Sequence, residues 1–237
     1  MQSKLPAFSA KEYLDDGKIH IILAASGSVA SIKLPNIAEA LSRHKNVSIR
    51  IVVTQSANNF LQDQSEEQPA LDTLSQLDGV DGVYRDADEW RTPWTRGASI
   101  LHIELRKWAH VLLVAPLSAN TMAKMTAGIA DNLLLSVIRA WDTTGLVDGD
   151  FKAQKPLIFV APAMNTAMYR QPITKKTLLI LEEEWGWSES NPEGWVVVLH
   201  AIERSLACGD VGSGGMMLWT DIVQAIERHL GLLKTES

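Results

Sequence analysis

The 237 residues contain a single cysteine, Cys208, set in "LACGDVGSGGMM" immediately before a glycine-rich turn that also carries Asp210. One cysteine excludes an internal disulfide and cannot build a multi-cysteine zinc site, so burial, intermolecular pairing or chemistry remain for it. Gly209, Gly212, Gly214 and Gly215 predict an accessible, flexible loop over 206–217, a flap able to close over a ligand. A thiol in an ordinary environment is mostly protonated at neutral pH, which suits a proton donor as well as a nucleophile.

Among six histidines none forms an H-x-x-x-H pair, and no metal site is expected. His20, His44, His200 and His229 fall at strand or helix edges, where a solvent-facing role is expected. His102, in "ILHIELRKW", precedes an acidic and a basic residue in a segment of irregular apolar spacing. It can therefore face a cleft and move a proton near neutral pH, with a purely structural role as the alternative. Asn165 closes "APAMN", where a strand should end and a helix begin. It is either a helix N-cap or an amide that holds a carboxylate at the ligand end of a sheet.

The elements that must position these residues are short apolar runs alternating with helical patterns. The runs are "IHIILAAS" (19–26), "VSIRIVVTQS" (47–56), "HVLLVAPLSAN" (110–120), "KPLIFVAPAMN" (155–165) and "WVVVLH" (195–200). Nearly unbroken apolar runs fit strands buried on both faces. Helical patterns at 29–44, 120–141 and 173–185 lie between them, which predicts an α/β fold: a Rossmann-like, doubly wound parallel sheet flanked by helices. No linker divides the chain, so a single domain over 1–237 is expected, with its core at about 18–217. The segment 64–83 reads as loop, and 142–154 as a surface insertion.

Ligands of such sheets bind beyond the carboxyl ends of the strands. Here those ends read "ASGSVAS", "VTQSAN", "APLSANT" and "APAMNT". Gly27 and Ser28 permit close backbone approach, while Ser118, Asn120 and Thr121 add donors at helix N-termini, where an anion such as phosphate is favoured. Neither G-x-G-x-x-G nor G-K-[ST] is present, and small residues that merely cap helices are the alternative reading.

A net charge of -6 provides no broad basic field, so no nucleic-acid partner is expected. No apolar run approaches the ~20 residues of a membrane span, and the opening residues lack a signal-peptide core. A cytoplasmic protein without membrane attachment is expected.

Four stretches taken together, "SGSVASIKLPNI", "LHIELRKWAHVLLVAPLSANTMAKMTAGIADNLLLSVIRAWD", "APAMNTAMYRQPIT" and "LACGDVGSGGM", resemble the phosphopantothenoylcysteine decarboxylases of the flavin-containing cysteine decarboxylase family. The resemblance runs from about residue 18 to 217, with the motifs in the family's order. It implies FMN-dependent decarboxylation of 4'-phosphopantothenoylcysteine to 4'-phosphopantetheine in coenzyme A biosynthesis, the flavin supplying the electron sink that lets the carboxylate leave. By the same resemblance His102 is the base, Cys208 is the acid that protonates the enethiolate, and Asn165 grips the substrate carboxylate with Met168 nearby. Gly27, Ser28, Val29, Thr54, Ser56, Ser118, Ala119, Asn120, Thr121 and Ala163 are the implied flavin contacts.

The resemblance further implies a homotrimer, or a heterotrimer with related subunits, in which His102 of one subunit faces Asn165 and Cys208 of the next. Three departures from the family pattern bear on substrate binding. Arg204 stands one position earlier than the family's basic residue, the flap reads "GSGGMM", and Lys107 replaces the second of two arginines. Within the same family the alternatives are a halotolerance-type phosphatase regulatory subunit, a partner subunit of a hetero-oligomeric decarboxylase, and an enzyme acting on a peptide's C-terminal cysteine. A flavin-binding protein without turnover is the remaining alternative.

Overall fold

The computed structural model describes residues 8–152, 154–205 and 211–233. Six strands form a parallel sheet: β1 (Ile19–Ala25), β2 (Val47–Val53), β3 (Val80–Arg85), β4 (Val111–Leu117), β5 (Leu157–Pro162) and β6 (Val196–Val198). Two more, β7 (Ile202–Ser205) and β8 (Val211–Gly215), make an antiparallel hairpin. The helices are α1 (Leu34–Ser42), α2 (Gln55–Asn58), α3 (Leu101–Trp108), α4 (Ala119–Thr126), α5 (Leu133–Arg139), α6 (Thr166–Tyr169), α7 (Pro172–Leu179) and α8 (Trp219–His229). None of them is long and apolar enough to cross a membrane.

The sheet order is β3-β2-β1-β4-β5-β6, the doubly wound topology expected from the alternation of strands and helices. The chain winds outward from β1 to β3 and returns to place β4 beside β1, so the strand order reverses between β1 and β4. Every residue of β2 and of β4 is buried, which is why these strands read as continuous apolar runs instead of alternating ones. Ile21, Leu23 and Ala25 face the layer that holds α1 and α8. Ile22 and Ala24 face Leu105 and Trp108 of α3 and Leu134 and Val137 of α5.

Several expectations are corrected. The segment 64–83, read as loop, contains the start of β3, whose Val80, Val83 and Tyr84 are buried. The glycines here have local causes: Gly79, with φ +83°, turns the chain into β3, and inside "VDGVYR" a Cβ on Gly82 would lie 2.9 Å from the Tyr84 hydroxyl. The helix expected over 120–141 is two helices, because Gly128 takes a left-handed φ of +72° after α4 and Asn132 caps α5 through Leu135 N at 2.9 Å. The pattern at 29–44 opens with a 3-10 turn, Val29–Lys33, and the α-helix starts at Leu34 with Pro35 in its first turn.

His20 is not solvent-facing. It is 4% exposed, stacks on Trp108 and His110, donates from Nδ1 to Trp108 O (3.1 Å), and meets Asp16 at 3.0 Å through Nε2. The segment expected as a surface insertion is exposed at Thr144, Leu146, Val147, Gly149 and Asp150, yet it is anchored from within. At its base Asp142, Asp148 and Lys152 are buried. The Asp142 carboxylate accepts the N–H groups of Thr144, Gly145, Val147 and Asp148 at 2.9 to 3.1 Å. Burial opposes its ionisation, yet these bonds prevail and hold its carboxyl below the usual range. Asp148 pairs with Arg106 of α3 at 2.7 Å, and Lys152 donates to Arg106 O at 2.7 Å. Burial pushes the Lys152 ammonium down to about 8.

Candidate functional site

The loops that leave β1, β4 and β5 enclose a cavity of about 340 Å³, beside the point where the strand order reverses. Gly27, Ser28 and Val29 line it after β1, Ser118, Ala119 and Asn120 after β4, and Ala163, Asn165 and Met168 after β5. Gly214 and Gly215 of β8 close one side. The topology dictates this place, because neighbouring connections leave toward opposite faces of the sheet and open a crevice between them.

Three helix starts converge there, each capped by its own side chain. Ser28 Oγ accepts from Ala30 N at 3.4 Å, Ser118 Oγ from Thr121 N at 3.3 Å, and Asn165 Oδ1 from Met168 N at 2.8 Å. A buried hydroxyl chain fixes the first two loops to each other. Ser26 Oγ donates to Ser118 Oγ at 3.2 Å and accepts from Ser118 N at 2.8 Å, and Ser118 Oγ donates to Thr121 Oγ1 at 3.1 Å. Ser26 is the residue after β1, so this chain joins the two strands at which the order reverses. Gly27 is needed for packing, since a Cβ there would lie 2.6 Å from Ser56 Cβ.

Not all expected flavin contacts line the cavity. Thr54 is buried and caps α2 through Ala57 N, and Thr121 is buried behind Ser118. Ser56 stands against Gly27, one layer out. These three shape the loops that hold the wall. Sequence reasoning also missed Lys33 and Phe60, which line the cavity together with Ile32, Met164 and Met216. No sequence signal marked either: Lys33 stands at the far end of the 3-10 turn, four residues beyond the start at Val29, and is the single cation among the described lining residues.

Two chemistries meet in this wall. The first-turn N–H groups that the caps do not take at the starts of the 3-10 turn and of α4, with Lys33, whose Nζ lies 3.7 Å from Glu67 Oε2, suit a phosphate. Val29, Ile32, Phe60, Met164 and Met216 suit the face of a flat apolar ring. A flavin mononucleotide carries both, so the residues present fit it.

Asn165 and Met168 lie in the same cavity. Asn165 is an N-cap, and the cap uses only its carbonyl oxygen, leaving the two N–H bonds of the amide outside it. The glycines of β8 serve close packing. A Cβ on Gly212 would lie 2.5 Å from Thr166 Oγ1, and one on Gly214 would lie 2.6 Å from Met164 O. Gly214 also has φ +108°, and its carbonyl accepts from Met164 N at 2.9 Å. Cys208 lies outside the described residues, as does the side chain of Arg204, whose backbone pairs with Gly212 in the hairpin.

His102 is not among the residues lining the cavity. It sits in the first turn of α3, partly exposed, with Nδ1 2.8 Å from Glu89 Oε1. Trp90 and Trp94, close to it in sequence, expose 67% and 52% of their surface.

A family model described as Flavoprotein matches residues 9–231. A protein of Schizosaccharomyces pombe named probable thymidylate synthase is 44% identical over 230 residues, 97% of this chain and 32% of that protein. The chain thus spans about a third of that relative's length. An Arabidopsis thaliana phosphopantothenoylcysteine decarboxylase is 42% identical over 200 residues, 84% of this chain and 79% of the plant protein. Among solved structures, a PPC decarboxylase mutant complexed with pantothenoylaminoethenethiol superimposes with a TM-score of 0.71 at 36% identity, covering 90% of this chain and 99% of that one.

Proposed function

From the premise that the chain belongs to the Flavoprotein family, matched over residues 9–231, we propose that it decarboxylates 4'-phosphopantothenoylcysteine to 4'-phosphopantetheine with bound FMN. The observation that carries this reading is the joining of two groups of residues in one cavity: the small-residue loops that fit a flavin, and Asn165 with Met168. The relative bearing the decarboxylase name is covered over 79% of its length. Most of the relative named thymidylate synthase lies outside the match, so that name is not carried over.

When bound, the flavin supplies the two-electron sink and source that makes loss of the substrate carboxylate easy. The chain's own residues do the rest. The starts of the 3-10 turn and of α4, with Lys33, hold phosphate, and the apolar wall excludes water from the ring. The amide N–H groups of Asn165 hold the substrate carboxylate. His102 accepts the proton released at oxidation, and Cys208 returns one to the enethiolate that decarboxylation leaves.

We further propose that a second copy of the chain completes the site. His102 lies outside the cavity of its own subunit, and Trp90, which follows its partner Glu89 in the chain, and Trp94 are exposed apolar side chains of the kind that a neighbouring subunit covers. His102 would then meet Asn165 and Cys208 of that neighbour, in a trimer of identical or related subunits.

The test is direct. The purified chain is expected to show a flavin spectrum in visible light and to form phosphopantetheine, followed by mass, from added phosphopantothenoylcysteine. A flavin spectrum without product would overturn the reading of a self-sufficient decarboxylase.

A further inference from the structure

We infer that Glu89 is the positioning residue of His102, an inference that rests on the reading of His102 as the proton acceptor. Glu89 follows the 3-10 turn Asp86–Asp88 at the end of β3, and that turn is pinned from three sides. Asp88 accepts from Arg85 N at 2.7 Å, Asp86 accepts from Gln55 N at 2.9 Å, and its other oxygen accepts from Leu133 N at 3.3 Å. Glu89 is thereby held against α3, with its side chain 4% exposed.

Its two oxygens are treated unequally. Oε1 lies 2.8 Å from His102 Nδ1, whereas Oε2 is buried and meets no hydrogen-bond partner among the described residues. A buried, half-satisfied carboxylate is a poor structural device, because an apolar residue of the same volume would fill the space at less cost. The arrangement does suit proton transfer. An ionised carboxylate can only accept, so it fixes the imidazole with its proton on Nδ1 and leaves the Nε2 lone pair to receive a proton. When that proton arrives, the ring becomes positive opposite a fixed negative charge that is already in place. The carboxylate itself does not need to touch substrate.

The signal was absent from sequence reasoning because thirteen positions separate the two residues, and only the return of the chain from β3 to α3 joins them.

The experiment measures kcat, KM, flavin content and thermal midpoint for Glu89→Gln, Glu89→Asp and His102→Gln, with phosphopantothenoylcysteine and the flavin-loaded full chain. Glu89→Gln keeps shape and an acceptor but loses the charge, so kcat is expected to fall ~100-fold while KM and flavin content stay within about twofold. Glu89→Asp keeps the charge at a slightly greater distance and is expected to recover part of that loss. An inactive His102→Gln beside a Glu89→Gln of unchanged kcat would overturn the inference and leave the role of His102 standing. A fully active His102→Gln would instead overturn the proposed role of His102. Parallel loss of flavin and thermal midpoint in both Glu89 variants would make the residue structural, which also overturns the inference.

Discussion

Asn165 shows how one side chain answers two questions at once. The sequence offered an N-cap and a carboxylate-holding amide as rivals, and the geometry makes them compatible, because Oδ1 caps Met168 N at 2.8 Å while the amide belongs to the cavity wall. The two roles separate in Asn165→Asp. Aspartate caps a helix as well as asparagine does, so stability should change by no more than about 0.5 kcal/mol. The substrate carboxylate would now meet a second carboxylate in place of two N–H donors, and kcat/KM is expected to drop roughly 100-fold or more, with flavin content unchanged. Thermal unfolding together with steady-state kinetics checks both halves, and a near-normal kcat/KM would remove Asn165 from carboxylate binding.

At the scale of elements, most strands that were legible in the sequence are buried on both faces, and the cavity residues lie immediately beyond them; β6, an edge strand of consecutive valines, is the exception. β1, β2, β4 and β5 read directly as apolar runs, and the residues after β1, β4 and β5 are the ones that line the cavity. β3 stayed hidden because it is an edge strand with Asp81 and Gly82 inside it. The break between α4 and α5 was hidden because apolar residues continue across it, and only Gly128 and Asn132 mark it. The lining lysine and the Glu89–His102 contact were illegible because each depends on which loop packs beside which. The segment after α5 misled most, since its acidic and glycine-rich composition belongs to a carboxylate that folds the turn around itself.

That segment also reaches the site. Arg106 stands one turn after His102 on α3 and is gripped by Asp148 and by Ala140 O, so the turn organised by Asp142 anchors the helix that carries the histidine. Asp142→Asn would turn two acceptors into one and place an NH2 group against backbone N–H donors, at a cost of about 2 kcal/mol. The pH dependence has a definite sign. The folded-state value of Asp142 is lowered, so its stabilisation is complete above the ordinary carboxylate value and is lost as pH falls through the folded-state value. The gap in unfolding free energy between the wild-type chain and the variant should therefore be widest at neutral pH and close progressively below about pH 4. Urea unfolding at a series of pH values measures it, and a gap independent of pH would show that the charge of Asp142 contributes nothing.

At the scale of the whole molecule, the sheet order gathers the flavin-fitting loops, Asn165 and Met168 at the reversal between β1 and β4, while His102 and its carboxylate partner stay outside that cavity. The proposed trimer would let two subunits share each site. This can be decided by complementation. A His102→Asn chain and an Asn165→Ala chain are each expected to be inactive alone. Co-expressed in equal amounts and assembled at random, a shared site draws its histidine from one chain and its asparagine from another, so about a quarter of the sites regain both residues. Activity should then return to roughly a quarter of the wild-type value per bound flavin, the flavin content staying constant across the three preparations. A site built within one chain could never be restored by mixing, because every chain would carry one defect, and an inactive mixture of the two variants would refute the shared site while leaving the cavity and its flavin contacts as they stand.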